Sequence, residues 1–208
     1  MVKEFELKDS GKREEFTTGS RRDTREGKGR YDLISPIALT RVMKQENLIT
    51  DINPRNTNEA VLLGIYYAYA YQIDFDWKRI YTTARLFLEA IQYQEDEKYS
   101  CFLTSSFPEK GIIRLAKWYE LGSKKYSERN WELGQGLARY FDSGCRHAFY
   151  FLDKKEDEDH LAAAVWNFFA IIHTKNMLDI GKLPKELDNM PTVFTVFKEQ
   201  KISLDKPK

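Results

Sequence analysis

The chain has 208 residues, of which 42% are apolar and 14% aromatic, enough to bury the core of one domain or of one domain carrying an insertion. Its 33 Lys and Arg nearly cancel 32 Asp and Glu, for a net charge of +1, which excludes the strong positive field that non-specific nucleic-acid or anionic-membrane binding requires. No apolar run approaches the ~18 residues of a membrane span, so function is left to local clusters of charge and aromatic rings.

In chain order, residues 1–30 are charged and poor in apolar side chains, with no signal-peptide pattern, which implies a cytoplasmic protein that begins with a loosely ordered arm. Ser35-Pro36 is a cap and first-turn pair that starts a short helix running to Met43. Asn56 with Glu59 has capping-box spacing and opens a helix to Tyr71. A third helix is expected from Asp76 to Gln94, with Trp77, Ile80, Tyr81, Ala84, Leu88 and Ile91 on its apolar stripe. Pro108 opens a fourth, carrying Ile112, Leu115, Ala116, Tyr119 and Leu121. A loop over 127–136 leads to a fifth helix from Leu137 to Leu152. The last runs from about Asp157 to His173 and holds the most apolar stretch of the chain, interrupted by Asn167. Period-2 alternation is absent, so the expected class is all-α: a compact helical domain with a helical insertion. The two cysteines, Cys101 and Cys145, lie in different apolar neighbourhoods and read as free buried thiols.

Four places carry chemistry. In the arm, Arg21, Arg22, Lys28 and Arg30 are interleaved with glycines, a composition suited to phosphate through backbone amides and guanidinium forks, although it lacks P-loop spacing and is also that of a solvated tail. Lys124, Lys125, Asn130 and Trp131 join cations to a ring that could stack on a base; the lysines equally complement a helix dipole, and the tryptophan could simply plug the loop. Asp142, Arg146 and His147 lie on a narrow polar face of the fifth helix, where an i,i+4 ion pair is the plain alternative. Glu156, Glu158, Asp159 and His160 crowd the start of the last helix. Acids there also complement the dipole, but His160 and Asn167, seven residues apart, point the same way. Buried without a partner, Asn167 would cost about 1–3 kcal/mol. Facing carboxylates would hold Mg2+ or Mn2+, which prefer oxygen ligands.

Taken together and in order, FTTGSRRDTREGKGRYDLISPIAL, LAKWYELGSKKYSERNWELG, ARYFDSGCRHAFYFL, DEDHLAAAVWN and KLPKELD resemble a family of phage proteins, the dATP/dGTP diphosphohydrolase N-terminal domain, over about residues 16–41 and 112–190. The resemblance implies residues 31–41 and 112–190 as a nucleotide-binding helical core, 42–111 as a tyrosine-rich helical insertion, and 191–208 as a tail. It implies metal-dependent cleavage of a purine deoxynucleoside triphosphate to monophosphate and pyrophosphate, by analogy with the all-helical MazG-like enzymes. Glu120, Asp142, Asp159 and His160 are then the catalytic candidates, and Glu120, Asp142, Glu158 and Asp159 the ligands of Mg2+ or Mn2+. Arg21, Arg22, Lys28, Arg30, Lys124, Lys125 and Arg146 would hold phosphates; Asn130, Trp131, His147 and Asn167 would complete the substrate contacts. The chain departs from the MazG-like pattern in having no EExxE motif. Two other readings stay open: a non-catalytic binder that sequesters a host immune signalling nucleotide, and an interaction module in which the insertion drives homo-oligomer formation.

Overall fold

The computed structural model describes residues 11–96 and 107–193; Cys101 and most of the tail, beyond 193, lie outside them. The described chain is helical apart from one antiparallel hairpin of β1 (Arg13–Glu15) and β2 (Arg21–Asp23), in register Arg13 opposite Asp23. The helices are α1 (Pro36–Met43), α2 (Thr57–Asp74), α3 (Trp77–Glu95), α4 (Glu109–Tyr126), α5 (Leu137–Leu152) and α6 (His160–Asp179). Their starts follow from local chemistry. Ser35 Oγ accepts from Ala38 N–H, Asn56 Oδ1 from Glu59 N–H, and Asp76 from Lys78 N–H, so each satisfies an orphan amide of a first turn. The last helix begins at His160 rather than near Asp157, because Asp159 is its N-cap, and it runs on to Asp179.

α6 is the axis of the fold. It is apolar around its whole circumference and packs against α1, α3, α4 and α5. Leu161, Phe168, Phe169 and Ile171 are fully buried, each contributing roughly 1.5–3 kcal/mol. α3 lies deeper than a single stripe predicts, with Leu86, Phe87 and Ala90 buried beside Ile80, Ala84, Leu88 and Ile91. One apolar core runs continuously from α1 to α6, α2 and α3 included. On α2, Tyr71 enters that core, whereas Leu62, Tyr66, Tyr69 and Ile73 are exposed at i, i+4, i+7 and i+11 and form an outer apolar stripe. Leu121, expected on the buried side of α4, is 59% exposed. No helix among the described residues is long and apolar enough to cross a membrane.

The arm departs from expectation over its described part. β1–β2 carries the chain to a turn at Gly27–Gly29 that docks on α4: Arg30 N–H donates to the Ala116 carbonyl at 2.8 Å. Gly27 and Gly29 have φ of 75° and 84°, and a Cβ on Gly29 would stand 3.0 Å from that of Ala116. Both positions therefore need glycine.

Candidate functional site

Between the C-terminal half of α4, the loop 127–136, α5 and the start of α6 lies a cavity of about 630 Å³. The sequence creates it by ending α4 with small or polar residues, Gly122 and Ser123, and by turning sharply. Ser127 (φ 90°) and Arg129 (φ 60°) take left-handed conformations without being glycine, a local cost of roughly 1–3 kcal/mol each that recurs at ligand sites.

The walls differ in chemistry. Trp118, Tyr126, Trp131 and Trp166 supply rings, Lys125, Arg129 and Arg139 supply cations, and His147, Asp157, Glu158 and Asp159 close one end. Trp131 is buried edge-on to Tyr119 and His173, with ring centroids 5.7 and 4.7 Å away. Its indole N–H has no hydrogen-bond partner among the described residues. Asn167 also lines the cavity, and its amide Nδ2–H donates to the Ala163 carbonyl at 2.8 Å. The partner that a buried amide demands is thus the preceding turn of its own helix.

At the closed end, His147 on α5 meets His160 on α6. Their Nδ1 atoms are 3.1 Å apart, His160 Nε2 is 3.0 Å from Asp157 Oδ1, and Glu158 Oε2 is 3.8 Å from His147 Nδ1. An Nε2–H on His160 that donates to Asp157 leaves its Nδ1 as a bare lone pair facing His147. Burial, helped by the nearby Arg146 charge, holds His147 below the usual histidine range and so neutral at neutral pH.

Of the residues singled out in the sequence, the cavity gathers Lys125, Asn130, Trp131, His147, Glu158, Asp159 and Asn167, with His160 behind His147. Others are engaged elsewhere. Arg21 pairs with Glu15 and Lys28 with Asp23 on the exposed hairpin, where Arg22 also lies. Arg30 is buried between Asp32 and Glu128, whose hydrogen bonds hold its guanidinium protonated. Asp142 pairs with Arg139 at 3.2 Å and, with Arg146, faces a separate concavity beside Tyr69, Phe141 and Phe149. Asp159 accepts two hydrogen bonds from Arg114, at 2.6 and 2.9 Å, besides capping α6.

Glu120 is held furthest from its expected part. Its two oxygens accept N–H bonds from Gly27 and Gly29, each 2.8 Å, and Lys124 adds a 3.2 Å ion pair. The glycine-rich turn does bind an anion with its amides, and that anion is the chain's own carboxylate. The Gly27 amide, foremost, holds the Glu120 carboxyl below its ordinary range. A depressed folded value means that this contribution to stability is complete above the ordinary carboxyl range and drains away as pH falls through the folded value. Glu120→Ala is expected to cost about 1–3 kcal/mol and to free the turn, read as faster amide exchange at Gly27 and Gly29 and new proteolysis near the hairpin.

Sequence reasoning missed the cavity roles of Trp118 and Trp166, the Arg114–Asp159 fork and the meeting of the two imidazoles. One signal was available for the last. Two of the chain's three histidines flank the same short acidic connection, and antiparallel helices joined by such a connection bring their adjoining ends together.

Residues 89–180 match the model of a family described as dATP/dGTP diphosphohydrolase, N-terminal. The match bears out the resemblance seen in the sequence over 112–180 and extends it back to 89, within the stretch expected as an insertion; it spans the end of α3 through α6 and supplies every cavity-lining residue except Leu33. No curated protein and no solved structure matches the chain.

Proposed function

We propose that this chain hydrolyses a purine deoxynucleoside triphosphate to the monophosphate and pyrophosphate in the α4–α5–α6 cavity. The observation that carries the reading is the co-location, within about 630 Å³, of six aromatic rings, three cations and a His/Glu cluster at one end. That volume is of nucleotide size, and the family description supports the substrate class. In this reading the base lies among Tyr126, Trp131 and Trp166. A base or sugar oxygen relieves the unpaired Trp131 N–H, whose burial otherwise costs about 1–3 kcal/mol. Lys125, Arg129 and Arg139 hold the phosphates by charge-assisted bonds. His147, Glu158 and His160 hold and polarise the attacking water, so that the α-phosphoryl bond to the leaving pyrophosphate breaks at their end of the cavity.

The expected Mg2+ or Mn2+ shell of Glu120, Asp142, Glu158 and Asp159 does not fit the geometry. Glu120 is filled by backbone amides, Asp159 by Arg114, and Asp142 faces the other concavity. The same engagement of carboxylates favours the second reading, a nucleotide binder without turnover that sequesters a signalling nucleotide. Self-association through the exposed α2 stripe, in a cytoplasmic setting, completes the proposal and is checked by sedimentation with Tyr66→Lys.

The deciding experiment measures pyrophosphate release from a panel of nucleoside triphosphates with divalent cations present. Turnover of dATP or dGTP above the pyrimidine nucleotides supports hydrolysis; tight binding without release supports the binder. The Lys125→Ala/Arg129→Ala double variant is expected to raise KM, or Kd for a binder, at least ~10-fold, since each charge-assisted bond is worth about 1.5–3 kcal/mol. An unchanged value removes these cations from the phosphate site.

A further inference from the structure

The closed end of the cavity presents a donor set of another kind from the expected carboxylates. Ligand atoms of His147, Glu158 and His160 all lie within 4.8 Å of one another. A tetrahedral ion bound at about 2.0–2.1 Å spaces its ligands roughly 3.3–3.4 Å apart. The observed 3.1 Å between the two Nδ1 atoms and 3.8 Å between His147 and Glu158 bracket that spacing. The rings come from two different helices, and both are buried, so their separation is set by the packing of α5 on α6 rather than by a mobile surface.

From this convergence we infer that His147, Glu158 and His160 form a divalent-cation site of the two-histidine, one-carboxylate type, which takes Zn2+ or a similar imidazole-preferring ion in place of Mg2+. Three points beyond proximity support it. Asp157 accepts from His160 Nε2 and thereby fixes the tautomer with a free Nδ1, the outer-shell arrangement that orients metal-bound imidazoles. The two Nδ1 atoms face each other at 3.1 Å, and a cation enters the seat between them on displacing any proton there. His147 and Glu158 also line the cavity, so a three-ligand ion keeps an open position facing the space where the proposed substrate lies. Two imidazole nitrogens select against Mg2+, a hard ion that demands oxygen ligands.

The inference concerns the metal alone, and its failure is separable from that of the hydrolase reading because the test contains no nucleotide. The full chain is titrated calorimetrically with Zn2+ in a large excess of Mg2+. One tightly bound Zn2+ per chain is expected, with loss of binding in His147→Ala and His160→Ala. Because those rings are buried, two variants of exposed carboxylates keep the test decisive: Asp157→Asn is expected to weaken Zn2+ about 10–100-fold, and Glu158→Gln at least as much. Co2+ substitution should give a visible spectrum of mixed nitrogen and oxygen coordination that vanishes in Glu158→Gln. Zn2+ uptake that is absent, displaced by Mg2+, or unchanged in both carboxylate variants overturns the site. Failure of the site on these grounds leaves the hydrolase reading standing.

Discussion

Glu89→Ala is expected to destabilise the chain by about 3–5 kcal/mol, read as a lower midpoint in urea denaturation. Glu89 is fully buried on α3, and its Oε1 accepts from Arg85 Nε at 2.5 Å one turn away. Arg85 is itself only 3% exposed, with its guanidinium over the Phe107 ring. Removing the carboxylate takes a counter-charge and a hydrogen-bond acceptor away from a buried guanidinium, which costs more than the intact pair contributes. The exposed Arg139–Asp142 pair provides the internal contrast. Both side chains are about two-thirds exposed, so Asp142→Ala should change stability by no more than roughly 0.5 kcal/mol. Equal losses in the two variants would show that burial does not set the difference.

The second large effect is on turnover. If the cavity is a hydrolytic site, Glu158→Gln should lower kcat for pyrophosphate release by roughly 10²–10⁴-fold, the range for loss of a positioned proton-handling or water-polarising group. KM should change little, because Lys125, Arg129 and the aromatic walls are untouched. Glu158 is 49% exposed, so the folded chain should melt at the parent temperature, and a drop in rate cannot then be ascribed to unfolding. A fall in KM-dependent efficiency alone, with kcat intact, would move Glu158 from the chemistry to substrate binding.

Helix starts were legible because their causes are local. Ser35-Pro36 and Asn56 with Glu59 carry the capping chemistry within four residues, and both helices begin where those residues require. The arm was not legible for the opposite reason. Gly27 and Gly29 have the composition of an anion site, but the anion is a side chain 93 and 91 residues away. Nothing in the local pattern separates an internal carboxylate from an external phosphate. Asp159 was singled out for its place among acids, whereas its partner Arg114 lies on another helix, 45 residues back. The cavity itself was half legible: Lys125, Asn130 and Trp131 stand out as a cation and an amide beside a ring, and Asn167 as a polar side chain in apolar company. Trp118 and Trp166 do not, since a tryptophan on an apolar helix looks the same whether it faces a core or a ligand space.

The seating of the Glu120 carboxylate on two glycine amides has a consequence for descent. Positions 27, 29 and 120 form a single unit of variation. A side chain at either glycine strains the positive-φ turn that aims the two amides at the acid, and a neutral residue at 120 leaves those amides without their anion. Sister chains should keep all three or exchange them together, so this trio serves as a test of kinship for the hairpin, even where the cavity residues have diverged.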